Sequence, residues 1–182
     1  MPPGRQGYAA RFGLAFAAWL GLAAAAPAQP LGQNTRTARF TVSVVVDNDC
    51  QITHADDLAF GHAAGSPARL AQAQQVGWLS VACSRDTLYV LGLDRGNAQG
   101  SSVGRRLMAG SQPGNGDLLQ YQLYIDAAGA TVWGDGSSGG GSTVSGVGSG
   151  AAQAYAVYGR LPAQDRPGAD RYISVVTASL TF

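Results

Sequence analysis

The chain contains neither lysine nor glutamate: its twelve basic residues are all arginine and its eleven acidic residues all aspartate. Without lysine, no lysine-based isopeptide crosslink can brace the fold. Without glutamate, no aspartate–glutamate pair can divide acid and base roles between two carboxyls. Setting aside Arg5 and Arg11 near the N-terminus, ten arginines face eleven aspartates, a near-neutral balance. That excludes the basic footprint expected for nucleic acid or an anionic membrane surface. Histidine is scarce, with only His54 and His62. His54 with Asp56 and Asp57 could be drawn as a metal site, but solvated loop residues account for them better. No serine sits in a nucleophile-elbow context. The residue inventory therefore argues against an enzyme and calls for no cofactor. Long apolar runs are also missing: the longest, Phe12 to Ala26, covers about fifteen residues, short of the roughly 20 needed to span a bilayer.

That short run is flanked by Arg5 and Arg11 and followed by Ala26-Pro27-Ala28, the small-x-small pattern of a signal peptidase site. Residues 1–28 are therefore expected to be a signal peptide, cleaved after Ala28. No cysteine follows the cleavage site to carry a lipid. No acidic residue follows the leader glycines, so a type IV prepilin leader is excluded too. In an exported chain, two cysteines are most simply a disulfide. Cys50 and Cys83 would close a loop of about 34 residues, for which the chain-entropy model gives roughly 3 to 4 kcal/mol.

The segment Arg39 to Asp47 carries the strongest pattern. Ala38, Phe40, Val42, Val44 and Val46 fall on one face of an extended strand, while Thr41, Ser43 and Asp47 fall on the other. Such a strand, placed ahead of the body of the domain, either closes its own sheet or inserts into that of another protein. Further strands are predicted over Val76–Cys83, Leu88–Leu93, Leu119–Ile125 and Tyr155–Gly159, with a last strand over Tyr172–Phe182. In that last strand Val176, Ala178, Leu180 and Phe182 share a face. Thr131–Gly134 is placed to return across the Asp126–Gly129 turn as a hairpin. Ala68–Gln75 is the one helix-compatible stretch. Many short strands with frequent turn signals predict an all-β fold, a sandwich.

Residues 134–150 are almost wholly glycine and serine and read as a flexible surface loop. No lysine or following helix supports phosphate binding there. Asp135 is its only acidic residue, too few for a calcium-binding repeat. Arg105-Arg106 could hold an anion, but such a pair is more often a sheet-edge or loop feature that hydrogen-bonds carbonyls or carboxylates.

The order of these landmarks resembles the spore coat protein U domain family, the subunits of archaic chaperone–usher pili. After the apolar strand come Cys50, Leu58-Ala-Phe-Gly61, Leu79-Ser-Val-Ala-Cys83, Tyr89-Val-Leu-Gly-Leu93 and Gly104-Arg-Arg-Leu-Met108. They continue with Leu119 to Asp126, Trp133-Gly134, Tyr155-Ala-Val-Tyr-Gly-Arg160 and Val175 to Phe182. Such pilins are immunoglobulin-like sandwiches lacking their final strand. The resemblance implies that residues 29–49 form an N-terminal extension with a donor strand and that residues 50–182 form the pilin domain. Ala38, Phe40, Val42, Val44 and Val46 would be the donated side chains. The Tyr172–Phe182 strand would border the receiving groove and meet a periplasmic chaperone. The other implied partners are an outer-membrane usher and neighbouring pilin subunits, with membrane contact only through the usher. The product would be a cell-surface fibre of a Gram-negative bacterium, serving adhesion and biofilm formation. A coat protein that forms no fibre and a secreted carbohydrate-binding adhesive domain stand as alternatives.

Overall fold

Alternation of apolar and polar side chains dominates the chain, and strands are what it builds. The computed structural model describes residues 35–62, 65–66, 69–165 and 167–182; the expected signal peptide lies outside them. Among the described residues twelve strands form: β1 Cys50–Ala55, β2 Gly65–Ser66, β3 Arg69–Leu70, β4 Ala73–Cys83, β5 Leu88–Leu93, β6 Arg106–Gly110, β7 Leu118–Tyr124, β8 Val144–Val147, β9 Ala152–Leu161, β10 Gln164–Asp165, β11 Tyr172–Ile173 and β12 Ala178–Thr181. No helix occurs among the described residues. By contacts the chain divides into two units, Met1–Ser43 and Val44–Phe182. Of the first, the described residues 35–43 form no strand and are exposed.

The second unit is an incomplete immunoglobulin-like β-sandwich. One sheet has the order β1-β4-β9-β7-β6-β11 and the other the order β12-β5-β8, with a small ribbon β10-β3-β2 beside them. The pairings are antiparallel. Inward residues of both large sheets meet in one core: Leu79 and Val81 from β4, Leu119 and Leu123 from β7, Tyr89, Leu91 and Leu93 from β5. Trp133 fills its centre and donates its indole N–H to the Leu91 carbonyl at 3.2 Å. The Tyr89 hydroxyl meets that of Tyr155 at 2.5 Å, and burial, followed by this contact, pushes the Tyr89 pKa up to about 12.

Arg106 is fully buried, not a loop or edge feature. Its guanidinium donates to the carbonyls of Leu93 (3.0 Å), Asp94 (2.7 and 2.9 Å) and Trp133 (2.8 Å), and to Gln122 Oε1 (2.6 Å). No carboxylate pairs with it among the described residues. Burial lowers its pKa, yet arginine keeps its charge, held by carbonyl dipoles in contact and by the more distant charges of Asp94 and Asp135. One side chain thus ties β6 to the end of β5 in the opposite sheet, to β7 and to the Trp133 segment.

Three expectations are corrected. The glycine- and serine-rich segment is not a flexible loop throughout, because Val144–Val147 is a strand paired with Leu88–Leu91. Its remainder is closed by backbone bonds, including Gly134 N–H to Ser142 O and Asp135 N–H to Gly140 O. The missing side chains allow close approach: a Cβ on Gly146 would meet the Tyr89 hydroxyl at 2.5 Å and the Tyr155 hydroxyl at 2.8 Å. The described part of Ala68–Gln75 holds no helix; it contains β3, and β4 starts as early as Ala73, three residues before the expected strand. The single strand expected over Tyr172–Phe182 is two strands in different sheets, β11 on β6 and β12 on β5. The crossing between them is pinned from the 94–97 loop, where Asn97 Oδ1 accepts the Val175 N–H and Asp94 Oδ1 the Thr177 N–H.

The β11 end is clamped by a carboxylate. Asp170 accepts the Gln112 N–H (3.0 Å), an Asn115 side-chain N–H (2.7 Å) and the Ser111 hydroxyl (2.9 Å). These donors, the Gln112 amide foremost, pull its pKa down to about 2. Because the folded pKa lies below the unfolded one, the stability it contributes is present above about pH 4 and is lost as pH falls toward 2. Thermal melts between pH 5 and 2 are expected to decline less steeply for Asp170→Asn than for the parent, with the variant already lower at neutral pH. For Arg106→Leu, which orphans at least three buried carbonyls, urea unfolding should report a loss of about 3 kcal/mol or more. Arg106→Lys should recover only part, since an ammonium cannot reproduce the planar fork.

Candidate functional site: an open side of the sandwich

Cys50 and Cys83 are joined by a disulfide, at the point where their strands pair directly. The bond fixes the start of β1 to the end of β4. The junction continues outside the strand, where Ser84 N–H donates to the Asp49 carbonyl at 2.8 Å. From there β1 runs along the edge of the six-stranded sheet. It pairs with β4 on one side and with no strand on the other among the described residues. A register shift between Ile52 and His54 interrupts the ladder, as a bulge does.

β12 has the corresponding position in the other sheet. It pairs with β5 and, among the described residues, with nothing beyond. β1 and β12 approach within 8 Å without forming a ladder. Two strand edges, each with unpaired N–H and C=O groups, therefore face one opening of the sandwich.

The apolar side chains on these two strands and their flanks are only partly covered. Val176, Ala178 and Leu180 are half-buried against the core, as are Tyr155 and Val157 on β9 and Leu58 and Phe60 after β1. Phe182 is 56 % exposed and Ile52 37 %. Elsewhere core residues of β4, β5 and β7 are almost fully enclosed. The opening is thus an apolar seam bordered by hydrogen-bonding edges, the arrangement an added strand completes.

Of the expected groove residues, Val176, Ala178, Leu180 and Phe182 lie on or beside β12. Tyr172 does not: it belongs to β11 in the other sheet, where its hydroxyl donates to the Gly168 carbonyl at 2.8 Å. Sequence reading missed Ile52, Leu58 and Phe60 as lining residues. The run Cys50-Gln-Ile-Thr carries only a weak period-two signal, and Leu58 and Phe60 lie in no strand.

The expected donor residues are all exposed. Phe40, Val42, Val44 and Val46 are 86, 83, 84 and 81 % exposed, and no pairing involves them or Ala38 among the described residues. On β1 and just after it, His54 Nε2 lies 2.7 Å from Asp56 Oδ1, and the other Asp56 oxygen accepts the Trp78 N–H at 2.9 Å. The His54 contact, then the Trp78 amide, lower the Asp56 pKa. No cluster of three potential metal ligands occurs among the described residues.

Comparison with known proteins agrees with this geometry. Among solved structures, a similar fold occurs in a chaperone–tip adhesion subunit pre-assembly complex from archaic chaperone–usher Csu pili of Acinetobacter baumannii. The match has a TM-score of 0.53 at 22 % identity over 75 % of this chain, and this chain spans 40 % of the length of that one. No curated protein matches the sequence. The family model for the spore coat protein U domain matches residues 36–179, and the chain belongs to that family.

Proposed function

We propose that the protein is a structural subunit of a chaperone–usher pilus, polymerised by exchange of N-terminal strands between copies. One observation carries this reading: among the described residues, two unpaired sheet edges border a half-covered apolar seam, and a period-two apolar segment of the same chain pairs with no strand. A strand laid between β1 and β12 would satisfy both edges and cover Val176, Ala178 and Leu180. Residues 38–46 of a second copy supply such a strand, with Ala38, Phe40, Val42, Val44 and Val46 directed into the seam. Burying the four larger groups contributes on the order of 6 to 12 kcal/mol before ordering costs. Ladder hydrogen bonds add to this.

The family match and the likeness to a Csu pilus subunit support the rest of the pathway. After export and removal of residues 1–28, residues 29–49 act as the extension and residues 50–182 as the receiving domain. A periplasmic chaperone protects the seam until an outer-membrane usher passes it to the next subunit. Exposed edges of this kind otherwise invite aggregation, which accounts for the need of a guardian. The assembled fibre serves adhesion and biofilm formation at the cell surface.

The reading is tested by Val42→Asp combined with Val44→Asp, expressed with the chaperone and usher of the same cell. Both positions lie outside the core, so the subunit should accumulate in the periplasm at normal levels. Electron microscopy should find no fibres, because two carboxylates cannot be desolvated in an apolar seam without a partner. Fibres of normal length would exclude residues 38–46 as the connecting strand.

A further inference from the structure

The outer face of the six-stranded sheet carries a second feature, away from the open seam. Here β4, β9 and β7 lie side by side with both edges of each paired. Their register aligns side chains in rows. Gln74 stands beside Arg160 and Gln122; Val76 stands beside Tyr158 and Tyr124; Trp78 stands beside Ala156. Trp78 and Val76 are each 50 % exposed, and Tyr124 and Tyr158 are half-exposed. Two cavities of 280 and 230 Å3 open on this face and share Gln74 and Arg160. Gln75 and Tyr158 line the first, Gln72, Gln120 and Tyr124 the second. No carboxylate lines either.

Among the described residues, Arg160 is the only charged side chain lining them, and no carboxylate forms an ion pair with it. Its guanidinium lies 5.4 Å over the Tyr124 ring, and Nη2 donates to the Ala127 carbonyl at 2.6 Å. Nε and Nη1 have no protein acceptor among the described residues, and no aspartate pairs with the group there. A half-buried arginine held in place by a ring and one carbonyl, with part of its fork unused, is prepared for a planar anion. The side-chain amides of Gln72 and Gln74 each offer both donors and an acceptor.

We infer that this face binds an acidic polysaccharide, one built from uronate sugars. The sugar carboxylate would take the free edge of Arg160, the ring hydroxyls the glutamine amides, and the apolar faces of successive sugars the rings of Tyr158 and Trp78. A peptide is the poorer fit. All three strands already have two neighbours, so no backbone edge is available for strand addition.

The test titrates the full mature chain with an alginate hexamer, following Trp78 fluorescence and the glutamine side-chain amide resonances. Maltohexaose and hexa-aspartate serve as the neutral sugar and acidic peptide controls. The hexuronate should bind, move the amides of Gln72 and Gln74, and outcompete both controls. Arg160→Gln should weaken it about tenfold or more. Tyr158→Ala, which leaves Arg160 in place, should weaken it as well while the melting profile stays that of the parent. Absence of binding at millimolar hexuronate would overturn the inference. So would an affinity unchanged in both variants, or hexa-aspartate binding as tightly as the sugar.

Discussion

The sandwich depends on one guanidinium. Arg106 sits where two sheets meet with no carboxylate to neutralise it, and its five donors are spent on carbonyls and an amide oxygen. Desolvating a charge this fully is costly, and only a closed set of dipoles makes it tolerable. Each acceptor therefore has a fixed place: the end of β5, the Trp133 backbone and Gln122 on β7. With these points set, the β5 and β7 side of the core becomes rigid and enclosed. The rest of the domain can then remain unfinished.

That unfinished side is the complement of the first. β1 and β12 stand at the rims of their sheets and the apolar residues between them are half covered. A small domain that buries its core incompletely gives up part of its stabilisation. Here the Cys50–Cys83 bond and the Asp170 clamp offset some of that loss at the two ends of the larger sheet. Under the proposed function, filling that gap with a strand would release further free energy.

The sequence made the outline legible where information is local. Period-two alternation placed Leu88–Leu93 at its observed bounds. The two cysteines identified each other by elimination. What was not legible depends on partners distant in the chain. Ser145 and Gly146 look structureless until Tyr89 and Tyr155 are placed against them, some sixty residues away in one case. Arg106 looks like a surface residue because nothing adjacent announces the acceptors supplied by Leu93, Asp94, Gln122 and Trp133. The break between β11 and β12 is set by Asp94 and Asn97, about eighty positions earlier. Arg160 is the same kind of case: its missing counter-ion is a property of three strands together.

The position of the disulfide has a mechanical meaning. Residues 38–46 leave the domain three residues before Cys50, so a pull on that segment enters the fold at the bond itself. The load passes through sulfur into β4, an interior strand with neighbours on both sides, and bypasses the bulged β1–β4 ladder. Under tension β1 cannot unzip from its near end, because that end is covalently closed. In a thread of such domains the seam and its plug would be loaded in shear along the strands, the direction in which many hydrogen bonds resist at once rather than one after another.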